Sequence, residues 1–582
     1  MGRTTEFEWS DLARNKQDRL LARMMRLVGL SVVAVLFACS GPTSGPAPKQ
    51  LAADQTLRIP INSEPSAGFS SLDPAQLSSG SHVEMAIAEN LFDGLYRYDE
   101  RMQEQPDIAN GMPAISSDGL TYTFHLRHNV RFWNGDLVTA ADVIYSWNRT
   151  VARQAGPDYI FLPVVGYDAV ANAGAVTNTT RLALSAPDPY TLVAHLSAPT
   201  GYWLAELALS GGWLVDQKAI TEGGEEWWKI PKDLVGTGPF RLTNWTPNVE
   251  LDFAAVSNWW GGSTGAIRRV ELHVADSASQ WTGYANATYD LIGFGKLNLG
   301  LTDAAEIGAL RADQSRRAQV HTWPLGTTTM VGFNLQSGPF SGYQAGRELR
   351  RAFSQAIDRN KLAQAVCQGE TVCAPATGGM ISKGLTGYLG DGADPNARFD
   401  PVTARATVKR LDPDGSLLRG LVYYYRIPAN DPAQAVAKNL TAQWRSNLGV
   451  DVMTVGLDSA TYIHNLFANK LTLFRLGWEA DYDHPQDWFN NLLFSSGCGQ
   501  PPCRGPVYDR PGYTALILAA DQKPLVDALP DYMKAGRMLL DDAAVAALFY
   551  RVRAVLIRPY VQGYGANALW ETRWTSLEIL QH

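Results

Sequence analysis

Motifs of the common enzyme and nucleotide-binding classes are missing from this sequence. It contains no His-Glu-x-x-His, no Gly-x-Ser-x-Gly and no phosphate-binding loop. The glycine-rich turn 235–240 lacks the Gly-Lys-Ser/Thr ending that such a loop requires. The nine histidines are scattered without metal-ligand spacing, and His484, beside Asp481 and Asp483, is interpreted as part of a polar loop. We expect no metal, no cofactor and no enzyme activity, although a catalytic triad assembled in space would leave no motif.

Positive charge is also scarce. The net charge of the 582 residues is −7, and because residues 1–38 contribute +2, the rest of the chain carries −9. A body this acidic is a poor nucleic-acid binder. The composition is otherwise ordinary for a globular protein, with 46% hydrophobic residues. A chain of this length is too long for one core, so two or three lobes are expected.

The sequence lacks a hydrophobic run long enough to span a bilayer, which needs about 20 residues. Its longest candidate, residues 27–37, has eleven residues and follows Arg19, Arg23 and Arg26. A basic start followed by a short apolar stretch is typical of a secretory signal. Residues 1–38 are therefore predicted to be a signal peptide, and Met24 or Met25 is an alternative start.

The end of this signal predicts a lipid anchor. Residues 36–39, Leu-Phe-Ala-Cys, resemble the bacterial lipobox, in which the cysteine becomes the lipidated first residue of the mature chain. Residues 40–48 are rich in serine, glycine and proline, a composition that forms a flexible tether rather than a core. We expect lipidation at Cys39, a tether over 39–55, and attachment to the outer face of the cytoplasmic membrane, or a periplasmic or cell-surface location.

Four further cysteines fit an exported protein. Cys367, Cys373, Cys498 and Cys503 are candidates for two disulfides, with three possible connectivities. The short loops 367–373 and 498–503 favour local pairing. Zinc binding is disfavoured because the spacings are not Cys-x-x-Cys and no histidine lies near them in sequence.

Helical and strand periodicities alternate along the whole chain, which predicts mixed α/β lobes. The pattern predicts, in order, a strand at 56–61, a helix at 82–92, a strand at 121–126, a helix after Thr139 as N-cap, a strand at 330–335, a helix at 346–366, a strand–helix–strand unit over 420–455, and strands at 546–550 and 554–557.

Several short segments occur in a characteristic order. They are residues 88–95, 117–124, 130–135, 139–143, 236–240, 258–261, 332–335, 349–353, 356–359 and 477–482. Together they resemble the bacterial family 5 extracellular solute-binding proteins, which include the oligopeptide- and dipeptide-binding receptors of ABC importers. The resemblance covers about residues 56–570.

The resemblance implies an α/β, two-lobed fold of the periplasmic-binding-protein type II class, with an additional subdomain on the first lobe. The first lobe is expected over 56–327, with the inserted subdomain at about 103–220. The second lobe is expected over 328–540, and residues 541–582 return to the first lobe. Ligand is expected to be enclosed when the lobes close about a hinge.

The resemblance also implies a ligand site. Asp481 matches the aspartate that holds the ammonium group of a bound peptide, which is the task of a fixed carboxylate. Trp478 is expected to wall the pocket, and Gly477 and Glu479 to offer backbone groups to an extended peptide. Arg475 matches an arginine that meets the ligand carboxylate, and on a straight strand it shares a face with Asp481. The remaining candidates are Tyr482, Ser79, Gly80 and His82.

Alternative interpretations accompany these residues. Asp481 can be explained by a turn, Trp478 by core packing, and Arg475 by a salt bridge at the surface or between the lobes. Glu479 replaces a cysteine of some family members, which removes their disulfide and adds a carboxylate. The expected function is capture of short peptides and delivery to the ABC permease subunits by a monomeric receptor. Alternatives are a peptide-sensing signalling receptor, a receptor for a metal chelate or a sugar, and an exported hydrolase.

Overall fold

The structure, a computed structural model, describes residues 50–62, 71–77, 82–177, 179–293, 304–367, 372–427, 433–492, 508, 510–569 and 573–582. Five predicted residues lie outside these ranges, namely Cys39, Ser79, Gly80, Cys498 and Cys503. The predicted signal peptide lies outside them as well, together with the tether up to residue 49.

The described residues form strands β1 to β19 in chain order. They are Thr56–Asn62, Tyr96–Tyr98, Glu104–Pro106, Ala114–Ile115, Thr121–His125, Leu184–Asp188, Thr191–His195, Phe240–Thr246, Glu250–Ala255, Arg269–Ala275, Leu291–Ile292, Val320–Phe333, Cys373–Pro375, Val422–Ile427, Met453–Asp458, Leu473–Glu479, Val545–Ile557, Val561–Gln562 and Glu578–Ile579.

The α-helices among them are numbered α1 to α15 in the same way. They are His82–Ala88, Ala140–Arg153, Tyr167–Ala173, Trp203–Leu207, Gln217–Gly223, Ser277–Ala285, Ala304–Ala312, Arg347–Gln355, Arg359–Cys367, Pro401–Leu411, Ala433–Leu448, Ser459–Phe467, Pro485–Leu492, Tyr513–Asp521 and Leu525–Asp541.

The first lobe is built on a four-stranded sheet in the order β1-β10-β9-β8. Strand β1 pairs in parallel with β10, and the other pairs are antiparallel. Leu57, Ile59 and Ile61 alternate along β1 and are buried, as expected for one face of a sheet. They belong to a hydrophobic core that also contains Phe253 and Trp574, so the C-terminal segment is part of this lobe.

The subdomain on the first lobe contains a second four-stranded sheet, in the order β4-β5-β7-β6. Helix α2 packs on it and begins as predicted after Thr139, whose backbone N–H and hydroxyl both donate to Asp142 Oδ2 at 2.8 Å. The short helix α4 lies beside the same sheet, where Trp203 contacts Phe124 and Trp147. Aromatic packing thus holds α4 firmly in the subdomain.

The second lobe contains a seven-stranded sheet in the order β11-β17-β12-β16-β14-β15, with β13 also paired to β17. Strands β12 and β17 run antiparallel along most of their length. Val555 and Ile557 of β17 lie in the first-lobe core, whereas Ala546 and Phe549 lie in a core that spans the second lobe and the subdomain. These two long strands therefore cross between the lobes.

The predicted α/β, two-lobed architecture with a subdomain on the first lobe is thus confirmed. The bounds predicted for the lobes and the subdomain stay predictions. The predicted disulfide between Cys367 and Cys373 is present. No helix among the residues listed above as described is long and apolar enough to cross a membrane.

Five predicted elements differ from the observed ones. The helix predicted at 82–92 ends at Ala88, and the strand predicted at 330–335 is part of the longer β12. The helix predicted at 346–366 is two helices, because Asp358 accepts the N–H of Lys361 and caps a new helix start. The strands predicted at 546–550 and 554–557 are one strand, since the intervening Arg553 is buried and donates to Tyr564 Oη at 2.9 Å.

Candidate ligand-binding site

Strand β16 carries four of the predicted site residues and has one open edge. Its last residues, 477–479, pair with residues 327–329 of β12. On its other side, β14 pairs only with Leu473 and Phe474. Among the described residues, no strand therefore covers this edge of β16 beyond Phe474. An uncovered edge exposes peptide groups that can pair with another extended chain.

The peptide groups of Gly477 and Glu479 face that open edge. Backbone groups of successive residues in a strand point to alternate sides. The carbonyl of Arg475 accepts a hydrogen bond from Tyr462 on the β14 side, whereas Ala480 N–H donates to β12 at 2.7 Å. Odd-numbered residues therefore point away from β12. This geometry suits the backbone recognition predicted for Gly477 and Glu479, and that role stays a prediction.

Trp478 and Asp481 are held in place by one buried carboxylate. Asp487 is completely buried at the start of α13. Its Oδ2 accepts Trp478 Nε1–H at 2.9 Å and Asp481 N–H at 3.2 Å. Because the carboxylate fixes both groups, the position of the bend that carries Asp481 is set before any ligand binds.

Asp481 lies two residues beyond the end of β16. The prediction that Arg475 and Asp481 share one face of a straight strand is therefore wrong, because the strand ends at Glu479. Arg475 instead extends toward Gly477, where an added Cβ would lie 4.0 Å from Arg475 Nη1. A role of Arg475 in binding the ligand carboxylate stays a prediction.

His82 brings the first lobe to the end of β16. It begins α1, and its Nε2 lies 3.8 Å from Glu479 Oε1. The two predicted residues are more than three-quarters buried and come from opposite lobes. The sequence placed them in one site, and the structure brings them together. Their contact with ligand stays a prediction.

Tyr482 is more deeply buried than its neighbours in the motif. It is 3% exposed, and its hydroxyl donates to Gln486 Oε1. Burial raises the pKa of Tyr482 well above its usual range, as do the carboxyls of Glu206 and Asp487. The side chain therefore forms part of the wall that separates the site from the core.

Carboxyl groups dominate the electrostatics around Asp481. Glu206, on α4 of the subdomain, is 4% exposed. Burial raises the pKa of Glu206 well above its usual range, the neighbouring Tyr482 hydroxyl opposes the shift, and repulsion from Asp487, Asp481 and Asp521 adds to it. The pKa of the buried Asp521 is raised to about 6 by desolvation. The site is therefore suited to a cationic group.

His484 does not offset this acidity. Desolvation lowers the pKa of His484 to about 3, so the imidazole is neutral near pH 7. Its Nδ1 accepts Gln486 N–H at 3.1 Å, and its ring packs against Tyr202 and Tyr532. His484 lies in the polar loop predicted for it, between β16 and α13, and this loop is buried, since only 3% of the residue is exposed.

Sequence reasoning missed Glu206, Asp487 and Asp521. Asp487 lies six residues after Asp481 in the first turn of α13, and an acidic residue at a helix start is a recognisable signal. No local pattern distinguishes Glu206 or Asp521, because only the folded chain brings them to the motif. No cluster of three metal-binding side chains occurs in the described part of the chain.

A cavity of about 670 Å³ lies in the first lobe, away from Asp481. Its lining includes Glu89, Asp107 and Arg573. Arg573 forms ion pairs with both carboxylates, at 3.8 and 3.6 Å. The candidate ligand site is the end of β16 instead, because the predicted residues, the open strand edge and both lobes meet there.

Several known proteins match this chain over nearly its whole length. The periplasmic murein peptide-binding protein MppA of Escherichia coli K12 is 27% identical over 92% of this chain and 95% of its own. The periplasmic oligopeptide-binding protein OppA of the same organism is 26% identical over 96% of this chain and 98% of its own. The probable deoxycholate-binding periplasmic protein YgiS, also of E. coli K12, is 26% identical over 93% of this chain and 96% of its own.

Solved structures share the fold. The unliganded open form of the murein tripeptide binding protein MppA matches with a TM-score of 0.76 and 24% identity, over 92% of this chain and 99% of that one. Haemophilus influenzae OppA in complex with the peptide RPPGFSPFR matches with a TM-score of 0.65 and 22% identity, over 91% of this chain and 100% of that one. The architecture is thus that of the type II periplasmic binding proteins.

The model of the middle region of family 5 matches residues 103–500, which is more than half of the chain. The match includes both the subdomain sheet and the segment that carries Asp481. The protein belongs to the bacterial extracellular solute-binding proteins of family 5.

Proposed function

We propose that this protein is the lipid-anchored, extracytoplasmic binding subunit of an ABC importer, and that it captures short peptides between its lobes for delivery to the permease. The open edge of β16, ending beside the fixed Asp481, is the observation that carries the proposal. A strand edge binds a peptide backbone irrespective of side chains. The carboxylate then binds the ammonium group at the peptide's N-terminus.

Relatives named for peptide binding support the same ligand class, since murein peptide- and oligopeptide-binding proteins match nearly the whole chain. One relative is named as a probable deoxycholate-binding protein. An anionic steroid is disfavoured here, because Asp481 and Glu479 lie at the proposed site and would repel its carboxylate.

Mass spectrometry of ligand released from the purified protein tests the ligand class directly. We expect short peptides with free N-termini. Calorimetry with matched tripeptides, one free and one acetylated at its N-terminus, tests the role of the carboxylate. The free peptide is expected to bind more tightly, and equal affinity would remove the ammonium group from the proposal.

Membrane attachment is tested by Cys39→Ala, since an alanine cannot be lipidated. Wild-type protein is expected in the membrane fraction, and the variant in the soluble fraction. If the wild type and Cys39→Ala are found in the same fraction, attachment does not depend on Cys39. Mass spectrometry of the mature N-terminus would show the lipid itself.

A further inference from the structure

Helix α4 of the subdomain meets the second lobe next to the segment that carries Asp481. Gly201, just before this helix, donates its N–H to the carbonyl of Asp521 at 2.7 Å. The contact is so close that a Cβ on Gly201 would lie 1.7 Å from the carbonyl oxygen of Lys523. Tyr202 packs against His484 with ring centroids 6.0 Å apart. The start of α4 is thereby fixed against the second lobe.

Glu206 lies one turn further along α4, close enough to Asp481 and Asp487 for their charges to raise its pKa. Its Oε2 is buried and has no hydrogen-bond partner among the described residues, and the hydroxyl of Tyr482 donates its proton to Gln486. Neither Glu206 nor Asp521 forms an ion pair with a basic side chain in that part of the chain. A buried carboxyl with an unused oxygen needs either a proton or a cation to be stable.

The described groups close to Glu206 do not supply a cation. From the second lobe they are the acidic Asp481, Asp487 and Asp521 and the phenol of Tyr482, and from the residue just before α4 the phenol of Tyr202. The nearby imidazole of His484 is neutral near pH 7 because its pKa is lowered to about 3. Burial raises the pKa of Glu206 well above its usual range, so the neutral form of the carboxyl is favoured while no cation lies beside it.

We propose that Glu206 is a second carboxyl group of the ligand site, which binds the side-chain cation of a peptide whose first residue is lysine, arginine or another basic residue. This inference rests on the proposed function, in which Asp481 binds the α-ammonium group of the same residue. On binding, the carboxyl of Glu206 loses its proton to solvent and the ligand cation takes that place. No covalent bond forms, and the charge near Glu206 stays balanced.

Calorimetry with two peptides of equal length tests the proposal in the wild-type protein. Lys-Ala-Ala and norleucine-Ala-Ala have similar side-chain stems, but only lysine carries the terminal ammonium. The lysine peptide is expected to bind about tenfold to a hundredfold more tightly, the range of one charge-assisted hydrogen bond. Titrations at neutral pH in two buffers of different ionisation enthalpy should show about one more proton released with lysine than with norleucine.

Glu206→Gln assigns both effects to this residue. The variant is expected to bind the two peptides with similar affinity and to release no additional proton. Glu89→Gln is the matched control, since Glu89 is also a buried carboxyl with a raised pKa but lies beside Arg573. The control should retain the lysine preference and the proton release.

Two results would overturn the inference, namely equal affinity of the wild type for both peptides, or a lysine preference that persists in Glu206→Gln. Either result leaves the proposed function intact as long as norleucine-Ala-Ala binds and its acetylated form does not. If the wild type binds none of these peptides, the proposed function fails first. The wild-type comparison decides the matter even if Glu206→Gln does not fold.

Discussion

Two groups of buried carboxyls in this molecule differ in whether the fold provides a cation. In the first lobe, Glu89, Asp93 and Asp107 surround Arg573, with the Asp93 Oδ1 atom 3.1 Å from Arg573 Nη2. Beside the ligand site, Glu206 and Asp521 lack an ion pair with a basic residue in the described part of the chain. The first group is completed by the protein itself, whereas the second is suited to a cation brought by a ligand.

The two groups of carboxyls differ because they connect different parts of the molecule. Arg573 connects the C-terminal segment to the first lobe, and Trp260 Nε1–H adds a hydrogen bond to Asp93 at 3.1 Å. Such a network stabilises the fold in every state of the protein. The carboxyls of Glu206 and Asp521 lie where α4 meets the second lobe, and we propose that a ligand cation bound between the lobes completes this group. On that proposal, buried carboxyls serve stability in one region and recognition in the other.

The sharpest test of this contrast removes the cation of the first group. Arg573→Met leaves three buried carboxyls without their partner, so we expect the free energy of unfolding to fall by about 3–5 kcal/mol at neutral pH. Urea denaturation measures this change. Arg97→Met is the control, because Arg97 is more exposed and lies 3.8 Å from Asp107. It should have a much smaller effect, and equal losses in the two variants would remove the special role of Arg573.

The opposite behaviour is expected of Asp481, which lies beside the second group at the proposed ligand site. Asp481→Asn should weaken the binding of free-amino peptides by about 1.5–3 kcal/mol, the magnitude of a hydrogen bond to a charged group. The free energy of unfolding should stay the same or rise, because one of several repelling carboxylates is removed. Calorimetry and urea denaturation measure the two quantities on the same preparation.

Asp483→Asn is the matched control for that experiment. Asp483 lies two residues further on, and its carboxylate already accepts the N–H of Thr386 at 2.7 Å and its hydroxyl at 3.0 Å. This variant should lose stability but should still bind the free peptide more tightly than the acetylated one. If Asp481→Asn weakens acetylated peptides as much as free ones, Asp481 does not bind the ammonium group.

Local patterns in the sequence predicted much of the fold. Alternation identified β1 and β5, the N-cap Thr139 identified α2, and the short loop 367–373 identified its disulfide. The errors came where contacts with distant residues bind a polar side chain that would otherwise end a helix or strand. Arg553 is charged, as expected of a residue at the end of a strand, yet it lies inside β17 because its guanidinium donates a hydrogen bond to Tyr564.

The site divides in the same way. Trp478, Glu479 and Asp481 are neighbours in the chain, so a family motif could identify them together. Glu206 is brought to the motif only by the packing of α4 against the second lobe, and no periodicity or spacing encodes that contact. The residue proposed here to distinguish basic peptides is thus the one that sequence reasoning could not find.

A smaller expected effect is the pH dependence of stability that Glu89 of the first group causes. Burial raises the pKa of Glu89 to about 7, and the ion pair with Arg573 opposes the shift. Between its unfolded and folded pKa values the folded protein holds a proton that the unfolded chain has released. The contribution of Glu89 to stability is therefore present at low pH and is lost as pH rises from about 4.5 to about 7.

Glu89→Gln has no such titration, so its stability relative to the wild type should increase by about 1–2 kcal/mol between about pH 5 and pH 7. Urea denaturation across this range measures the difference, with Asp142→Asn as a less buried control in the subdomain. Peptide affinity should be unchanged by Glu89→Gln at every pH, because Arg573 rather than ligand neutralises this group. Parallel stability curves for Glu89→Gln and the wild type would show that Glu89 is ionised throughout and that Arg573 fully compensates all three carboxyls.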